Sequence, residues 1–204
     1  MTLWTISAQA GTDGRAIATE LAQRAAVPLL DRKALAPYAH DLEPEISDVD
    51  ELEERLGGRL QAFALSVALA GGATEATREL QLRRALPALG RAVLAEAARE
   101  PAVIFVPAAF AVLRDHPAAV HVRLRAPLER RVEAYRRQEL VDRRCAQKAV
   151  RHDDDHQRAW VKMLYHADVD DPALFSLVVD VSRFPPDRVV DVLLAAAACA
   201  SVDA

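Results

Sequence analysis

A short loop near the N-terminus carries the first residue pattern that could do chemistry. Residues 2–7 form an apolar run that predicts a buried strand, and Ile17 and Leu21 begin a helical spacing that continues to about Ala26. Residues 8–16 (AQAGTDGRA) lie between the two. A strand, a glycine loop and a helix in this order can hold a phosphate, because loop amides and a helix N-terminus attract anions. The loop is therefore a candidate phosphate site.

The loop does not match the common phosphate-binding motif G-x-x-x-x-G-K-[ST]. Gly14 stands where the motif has its lysine, and Arg15 follows it. The backbone amides from Gly11 to Arg15 still suit an anion, and Arg15 could supply a positive charge, although a guanidinium differs from an ammonium in shape and reach. The alternative is an ordinary strand-to-helix turn that uses the conformational freedom of glycine.

A second candidate group follows the next apolar run. Asp31 and Arg32 come directly after Leu29 and Leu30. Ligands gather at the carboxyl ends of strands in open α/β sheets, which favours a binding role for both residues. A helix-capping aspartate beside a surface arginine would give the same pattern.

Positive charge is concentrated in one segment of an acidic chain. Residues 123–158 contain 11 Lys or Arg and 7 Asp or Glu, a net charge of +4, whereas the remainder contains 15 and 23, a net charge of −8. A single basic segment suits a small anionic ligand better than a long nucleic acid, which needs a broad basic face. A solvated helix face is the alternative.

Two histidines in this segment have helical spacing. His152 and His156 would face the same side of a helix, with residues 153–155 all aspartate between them. The first histidine is not followed by the glutamate of zinc peptidases. We therefore predict no metal held by protein side chains.

Strands and helices alternate along the chain and must position these residues. Further strands are predicted at residues 102–106, 119–125 and 177–181, and helices at residues 108–114, from Pro127 to Tyr165 with a break near residues 141–144, and from the Pro185-Pro186 pair to about Ala198. Residues from 47 to 99 have a mainly helical pattern. This alternation predicts a doubly wound parallel sheet with flanking helices.

Composition limits the class of protein. At 204 residues with 51% hydrophobic residues, the chain suits one compact domain. Cys145 and Cys199 imply no disulfide framework. No run of about 18 apolar residues and no secretory leader is evident, so we expect a cytoplasmic protein that does not bind membranes. The sequence leaves a homo-oligomer open.

Longer stretches resemble the cytidylate kinase-like family. The segment ISAQAGTDGRAIATELAQRAAVPLLDRKAL is similar to the family's first strand, GSGGR-type loop, helix and Asp-Arg strand end, and Gly-Arg in place of lysine is common there. The segment VHVRLRAPLERRVEAYRRQ is similar to its strand, Ala-Pro turn and arginine-bearing helix. The segment RHDDDHQRAWVKMLYHADVDDPALFSLVVDVSR is similar to its lid and last strand.

The chain departs from the family pattern at three places. Residues 106–108 (VPA) replace a Gly-Arg-Gly whose arginine resembles the one that binds the substrate phosphate in cytidylate kinases. His152 replaces a lid aspartate. Asp13 replaces the second loop glycine, and its carboxylate would repel a triphosphate unless it binds metal or faces away.

The resemblance implies one domain, residues 1–204, with a fold like that of P-loop nucleoside-monophosphate kinases, a helical substrate-side region at residues 46–100 and an arginine-rich helical lid at residues 136–165. It implies weak ATP-dependent phosphorylation of CMP or a related nucleotide, with Mg²⁺ held chiefly by phosphates and water. The residues it implicates are Gly11, Thr12, Asp13, Gly14 and Arg15 for the ATP phosphates; Asp31, Arg32 and Asp155 for the acceptor; and Arg15, Arg131, Arg151 and Arg158 for the transferring group.

Three other interpretations stay open. The lid arginines could be exposed helix residues whose pairs with Asp155 and Glu133 contribute about 0.3 to 0.5 kcal/mol each. The chain could bind nucleotide or regulate without transferring phosphate, as the departures at Asp13 and residues 106–108 suggest. The alanine-rich middle of the chain could instead belong to a helical interaction module that needs no pocket.

Overall fold

A computed structural model describes residues 2–31, 34–35, 94–95 and 97–200. The strands within these residues are β1 (Leu3–Ala8), β2 (Leu29–Asp31), β3 (Val103–Phe105), β4 (Ala119–Arg125) and β5 (Leu177–Asp180). The helices are α1 (Gly14–Ala25), α2 (Ala109–Val112), α3 (Leu128–Glu139), α4 (Arg143–Tyr165) and α5 (Pro186–Ala200), with single 3₁₀ turns at Pro172–Leu174 and Val181–Arg183.

The five strands form one parallel sheet in the order β2-β3-β1-β4-β5. β1 is central, with Thr5 opposite Ile104 of β3 on one side and opposite His121 of β4 on the other. The carboxyl ends of all five strands therefore lie along one edge of the sheet. The loop after β1 opens at this edge, where ligands bind in open α/β sheets.

Alternating side chains along the strands fill a core on each face of the sheet. On one face Trp4 and Ile6 of β1 and Val122 of β4 pack with α1 and α5. On the other face Leu3 and Ile104 pack with α2. Helices on both faces of an all-parallel sheet make this an α/β fold, as predicted.

The helices α3 and α4 pack against each other beside the loop after β1. Leu140 ends α3 in a left-handed conformation with φ 55°, and the Asp142 carboxylate caps α4 by accepting a hydrogen bond from the Cys145 amide at 2.9 Å. Buried Val132 and Val150 join the helices. Burial of a valine side chain stabilises a fold by about 1.5 to 3 kcal/mol.

Most predicted elements are confirmed within a residue or two at their ends. β4 begins and ends as predicted, and the break between α3 and α4 falls at residues 140–142 instead of 141–144. Pro127 is the residue before α3 and not its first residue, and Val181 belongs to a 3₁₀ turn and not to β5. Most of residues 46–100 lie outside the described residues. No helix in the described part of the chain is long and apolar enough to cross a bilayer.

Candidate functional site

The loop between β1 and α1 has several unpaired backbone donors. Its turn is closed by Thr12, whose amide and hydroxyl both donate to the Gln9 carbonyl oxygen, at 3.3 and 2.6 Å. Among the described residues, no acceptor is recorded for the amides of Ala10, Gly11, Asp13, Gly14 and Arg15. These donors lie at the N-terminus of α1, where the helix dipole also favours an anion.

Two loop glycines are required by close packing. Gly11 has φ 78°, and a Cβ there would clash with the Arg131 carbonyl oxygen and lie 2.9 Å from the Arg131 Cα. At Gly14 a Cβ would clash with the Ala8 Cβ and lie 3.4 Å from Phe105 Cε2. The packing at Gly14 gives a physical reason why no lysine stands there, since any side chain would push α1 away from β1 and β3.

The first side-chain cation after the loop is paired with the end of β2. Arg15 Nη2 lies 2.5 Å from Asp31 Oδ2, with the Arg15 side chain 67% exposed and the Asp31 side chain 12% exposed. The second carboxylate oxygen, Asp31 Oδ1, accepts a hydrogen bond from the Ala34 amide at 2.9 Å. Asp31 therefore caps the following segment and holds Arg15. Arg32 lies outside the described residues.

Asp13 lies exposed between the loop and α1. It precedes the first helical residue with φ 53° and ψ 28°, a left-handed conformation, and its side chain caps none of the amides of α1. Aspartate adopts this conformation more readily than most residues, but glycine adopts it without strain. Asp13 thus adds both a negative charge and backbone strain beside the unpaired amides.

Arg131 of α3 is buried and holds a carboxylate of α4. Its Nη1 and Nη2 donate to Asp154 Oδ1 and Oδ2 at 3.0 and 2.8 Å, and both side chains are less than 10% exposed. Nε donates to the Ala126 carbonyl oxygen at 3.0 Å, and Nη1 also reaches the Ala10 carbonyl oxygen at 3.4 Å. This arginine fixes the loop against the two helices.

A second arginine is buried on the central part of the sheet. Arg123 of β4 is 5% exposed, and its Nη1 donates to Ser7 Oγ at 2.9 Å and to Gln157 Oε1 at 2.7 Å. Its Nη2 donates to Asp170 Oδ1 at 3.2 Å. Gln157 Nε2 in turn donates to the Ala8 carbonyl oxygen at 3.4 Å, which connects this network to the start of the loop.

Arg158 of α4 shares a carboxylate with Arg123. Its Nε donates to Asp170 Oδ2 at 2.6 Å, and its Nη1 donates to Asp155 Oδ1 at 2.9 Å, so the predicted mutual support of Asp155 and Arg158 is present. Arg151 is exposed and has no recorded partner among the described residues. The catalytic roles of Arg151 and Arg158 and the acceptor contact of Asp155 stay predictions.

The shared carboxylate has a shifted pKa. Burial acts to raise the pKa of Asp170, but the hydrogen bond from Arg158 and the charge of Arg123 outweigh burial, so the pKa lies below its ordinary value. Burial lowers the pKa of the Arg123 guanidinium more than Asp170 raises it. The pKa of Arg158 is raised, chiefly by its hydrogen bond to Asp170. All three groups are charged at neutral pH.

These arginines border a cleft beside the carboxyl end of β4 and the start of β5. The cleft has a volume of about 230 Å³ and is lined by Gln9, Arg123, Arg125, Arg158, Val169, Asp170, Pro172, Phe175 and Val178. Our sequence reasoning found Arg158 but missed Arg123 and Arg125. Arg123 and Arg125 alternate with Leu124 in β4 (HVRLR) and therefore lie on one face of that strand. Two arginines on one face of a predicted strand were the signal that could have indicated this cleft.

The remaining predicted features are the pair of histidines on α4 and the turn after β3. The rings of His152 and His156 stack with centroids 6.3 Å apart. Within the described ranges, no group of three or more His, Cys, Asp or Glu side chains is arranged to hold a metal ion. The turn after β3 is closed by a hydrogen bond from the Ala109 amide to the Val106 carbonyl oxygen at 3.3 Å, and Ala108 is buried.

Solved structures with the same fold include several kinases. The chain resembles an uncharacterized protein from Eubacterium ventriosum ATCC 27560 with a TM-score of 0.65 and 16% identity over 95% of this chain and 96% of the other. It resembles a gluconokinase from Sinorhizobium meliloti 1021 with a TM-score of 0.52 and 15% identity over 97% and 91%. A shikimate kinase from Bacteroides thetaiotaomicron gives a TM-score of 0.52 and 12% identity over 95% and 97%. These likenesses show the fold.

Sequence comparison shows the family directly. No curated protein sequence matches the chain significantly. Residues 4–183, which include the five described strands except for Leu3, the first residue of β1, match the family model described as Cytidylate kinase-like family. The chain belongs to the cytidylate kinase-like family.

Proposed function

We propose that the protein binds ATP at the Gly11 loop and catalyses slow phosphoryl transfer to CMP or a related small acceptor. The observation that carries this proposal is that five of the six amides from Ala10 to Arg15, all except that of Thr12, have no acceptor among the described residues. Such N–H donors beside the N-terminus of α1, at the carboxyl edge of a parallel sheet, suit the oxygens of a phosphate chain. Family membership supports the same ligand.

The donors that the protein supplies are the loop amides and Arg15. Mg²⁺ bound with the nucleotide would neutralise phosphate charge, and the described residues offer it no dedicated cage. Arg15 is two-thirds exposed and anchored at one nitrogen by Asp31, so its other N–H groups are available to a phosphate oxygen. In this proposal Arg15 supplies the positive charge that lysine supplies in the common motif, and Asp31 compensates part of that charge.

Arg131 has a positioning role in this proposal. Its guanidinium is already held by both oxygens of Asp154 and by two backbone carbonyls, so little of its hydrogen-bonding capacity is left for a ligand. It acts on the loop through the Ala10 carbonyl. Arg151 and Arg158, which are exposed on α4, are the arginines we assign to the transferring group.

A protein that binds nucleotide without transfer is the second candidate. The exposed carboxylate of Asp13 lies among the loop amides, and Pro107 stands where the family has an arginine. Each lost charge-assisted contact removes about 1.5 to 3 kcal/mol of binding. The departure at Pro107 favours weak or absent turnover, and Asp13 weakens the binding of the nucleotide itself.

The experiment that tests the proposal measures binding and turnover on one preparation. ATP affinity is measured by calorimetry with Mg²⁺ present, and ADP release is measured with each nucleoside monophosphate as acceptor. Binding with acceptor-dependent ADP release supports the transferase. Binding without release supports the second candidate, and absence of binding contradicts both. Rapid turnover restricted to CMP would contradict the proposed effect of Pro107 and Asp13.

A further inference from the structure

His121 of β4 is a buried histidine that the proposed reaction does not use. It is 7% exposed, and its Nδ1 lies 2.7 Å from the hydroxyl oxygen of Thr5, which is 1% exposed. The other ring nitrogen, Nε2, is buried and has no hydrogen-bond partner among the described residues. A protonated imidazole carries an N–H at both nitrogens, so protonation would place a charge and an unpaired donor in the interior. The fold therefore favours the neutral ring.

Within the described residues, no carboxylate is recorded as acting on this ring. The groups that face it come from β1, from β4 and from the two segments packed beside them: the Thr5 hydroxyl, the Arg123 guanidinium on the same face of β4, the Leu113 and Arg114 carbonyls, the His116 ring and the Ser176 hydroxyl. Burial lowers the pKa of His121 more than the backbone carbonyls of Arg114 and Leu113 raise it, and a charge on His116 lowers it further. The pKa of His121 therefore lies below its ordinary value.

The segment between α2 and β4, residues 113–118, is called the junction, and it lies against the His121 ring through two of its carbonyl groups. Few contacts hold it to the sheet. Leu113 is buried, whereas three of the other five residues are exposed. The Ala118 carbonyl oxygen accepts a hydrogen bond from the Leu3 amide of β1 at 3.0 Å. Segments with few buried apolar contacts open locally at a lower free-energy cost than core strands do.

A second histidine closes the junction on itself. His116 Nδ1 accepts a hydrogen bond from the Ala118 amide at 3.3 Å, which requires that Nδ1 carry no proton. The His116 amide donates to the Leu113 carbonyl oxygen at 2.9 Å, and the His116 carbonyl oxygen accepts from the Ala119 amide at 3.1 Å. Protonation of the ring converts the Nδ1 acceptor into a donor and removes the bond from Ala118. The junction is therefore complete only while His116 and His121 are both neutral.

We propose that the junction is a pH-sensitive switch, which is closed on the sheet while His116 and His121 are neutral and is opened by their protonation. Opening exposes the His121 ring to water, which solvates the charge and supplies the acceptor that Nε2 lacks. The change reaches the candidate site because the His121 amide donates to Ser176 Oγ at 3.1 Å, in the segment between α4 and β5 that also carries Asp170. The switch operates with or without a nucleotide and is therefore independent of the proposed function.

The switch acts in the mildly acidic range. Because the pKa of His121 in the closed state lies below the ordinary value of about 6.5, the stabilising effect of the neutral ring is complete above that value. It is lost as the pH falls from there through the closed-state pKa. If the closed state stays unprotonated, the equilibrium constant for opening rises about tenfold between pH 7.5 and pH 5.5 for one histidine. The pKa of Asp170 is far lower, so Asp170 does not contribute in this range.

Amide hydrogen exchange followed by NMR, corrected for the intrinsic exchange rate, measures the opening at pH 7.5 and pH 5.5. The Leu3 amide, bonded to the Ala118 carbonyl, reports the junction, and the Trp4 amide, bonded on the β3 side at 2.9 Å, reports the sheet. His121→Asn keeps a polar group at the Nδ1 position without a titrating ring. His166→Asn is the control, because His166 is exposed at the end of α4. We expect acid to raise the opening constant at Leu3 about tenfold in wild type and in the control, and far less in His121→Asn, with Trp4 unchanged.

Three results would overturn the switch: no rise at Leu3 in wild type, an equal rise in wild type and His121→Asn, or an equal rise at Leu3 and Trp4, which would mean that acid unfolds the whole sheet. A second measurement, the NMR titration of the His121 ring in wild type, keeps the test decisive if the variant does not fold. Its midpoint is expected below about pH 6.5, and a midpoint at or above that value contradicts the switch. None of these measurements involves ATP, so they stand whatever the outcome for the proposed kinase function.

Discussion

The guanidinium of Arg15 is held by the carboxylate of Asp31, with Arg15 Nη2 2.5 Å from Asp31 Oδ2. The pair joins the first turn of α1 to the end of β2, and so joins the proposed ATP side of the site to the proposed acceptor side. A phosphate that approaches the loop therefore meets a cation whose charge is already partly compensated. The Arg15–Asp31 pair therefore predicts that a substitution can change ATP binding and phosphoryl transfer separately.

Asp31→Asn should tighten ATP binding and lower turnover. Asparagine keeps an oxygen that can accept the Ala34 amide, but it removes the charge that holds Arg15. Free Arg15 interacts more strongly with phosphate, while the acceptor side loses its carboxylate. ATP affinity and single-turnover transfer should be compared with Glu20→Gln, which removes the Arg24–Glu20 ion pair at 3.6 Å on the same helix. Weaker ATP binding in Asp31→Asn than in the control would contradict the account.

Gly14→Lys should not restore an ordinary phosphate loop. A side chain at this position has no space between Ala8 and Phe105, so α1 must shift away from the sheet. Overpacking of this kind costs about 1 to 3 kcal/mol in the free energy of unfolding. Urea unfolding of Gly14→Lys and of Ala16→Lys, which places lysine at an exposed position of α1, measures the difference. Equal stability of the two variants would show that the loop has room for lysine.

Asp13→Asn and Asp13→Gly should strengthen ATP binding to a similar degree, and Asp13→Gly should also raise the free energy of unfolding. Both substitutions remove the carboxylate beside the loop amides, and glycine also relieves the left-handed strain at φ 53°, which costs roughly 1 kcal/mol for a residue with a side chain. Calorimetry with Mg²⁺ and ATP measures the effect of the charge, and urea unfolding measures the effect of the strain. Unchanged affinity in both variants would mean that Asp13 faces away from the ligand.

Removal of Arg131 should destabilise the protein and weaken ATP binding together. Arg131→Met leaves the Asp154 carboxylate buried without its partner, which typically costs 3 to 5 kcal/mol. The double variant Arg131→Met with Asp154→Leu should recover most of the stability without recovering ATP affinity, because the contact to the Ala10 carbonyl oxygen is still missing. Full recovery of both stability and ATP affinity in the double variant would show that the Arg131–Asp154 pair contributes only to core packing.

Acid should destabilise the fold partly through Asp170. Because its folded-state pKa lies below the ordinary value of about 3.9, its stabilising effect is complete above that value and is lost as the pH falls through the folded-state pKa. Asp170→Asn should therefore flatten the loss of stability below about pH 4. Asp115→Asn, at a 95% exposed side chain, is the control. If stability falls equally steeply with decreasing pH in Asp170→Asn and Asp115→Asn, the assigned interactions of Asp170 with Arg123 and Arg158 are contradicted.

Local patterns were sufficient to predict most of the secondary structure of the described residues, because apolar runs and turn residues act over a few positions. The strand at residues 119–125 and the break between α3 and α4 follow from such patterns. The bond between Ser7 and Arg123 joins residues 116 positions apart, so only the assembled sheet brings them together. The close packing at Gly14 could not be predicted from local sequence either, because Phe105 belongs to β3. For this reason the loop was found from the sequence, whereas the cleft and the pairing of Arg15 were not.

The most direct test of the central claim is the response of the loop amides to ATP. In an NMR titration of the wild-type protein with Mg²⁺ and ATP, the amide signals of Gly11, Asp13, Gly14 and Arg15 should move more than those of the rest of α1, because these donors have no acceptor within the described part of the chain. Saturable shifts at these four amides would support a phosphate held by the loop. Binding of ATP that leaves all four unchanged would place the nucleotide elsewhere and contradict the account.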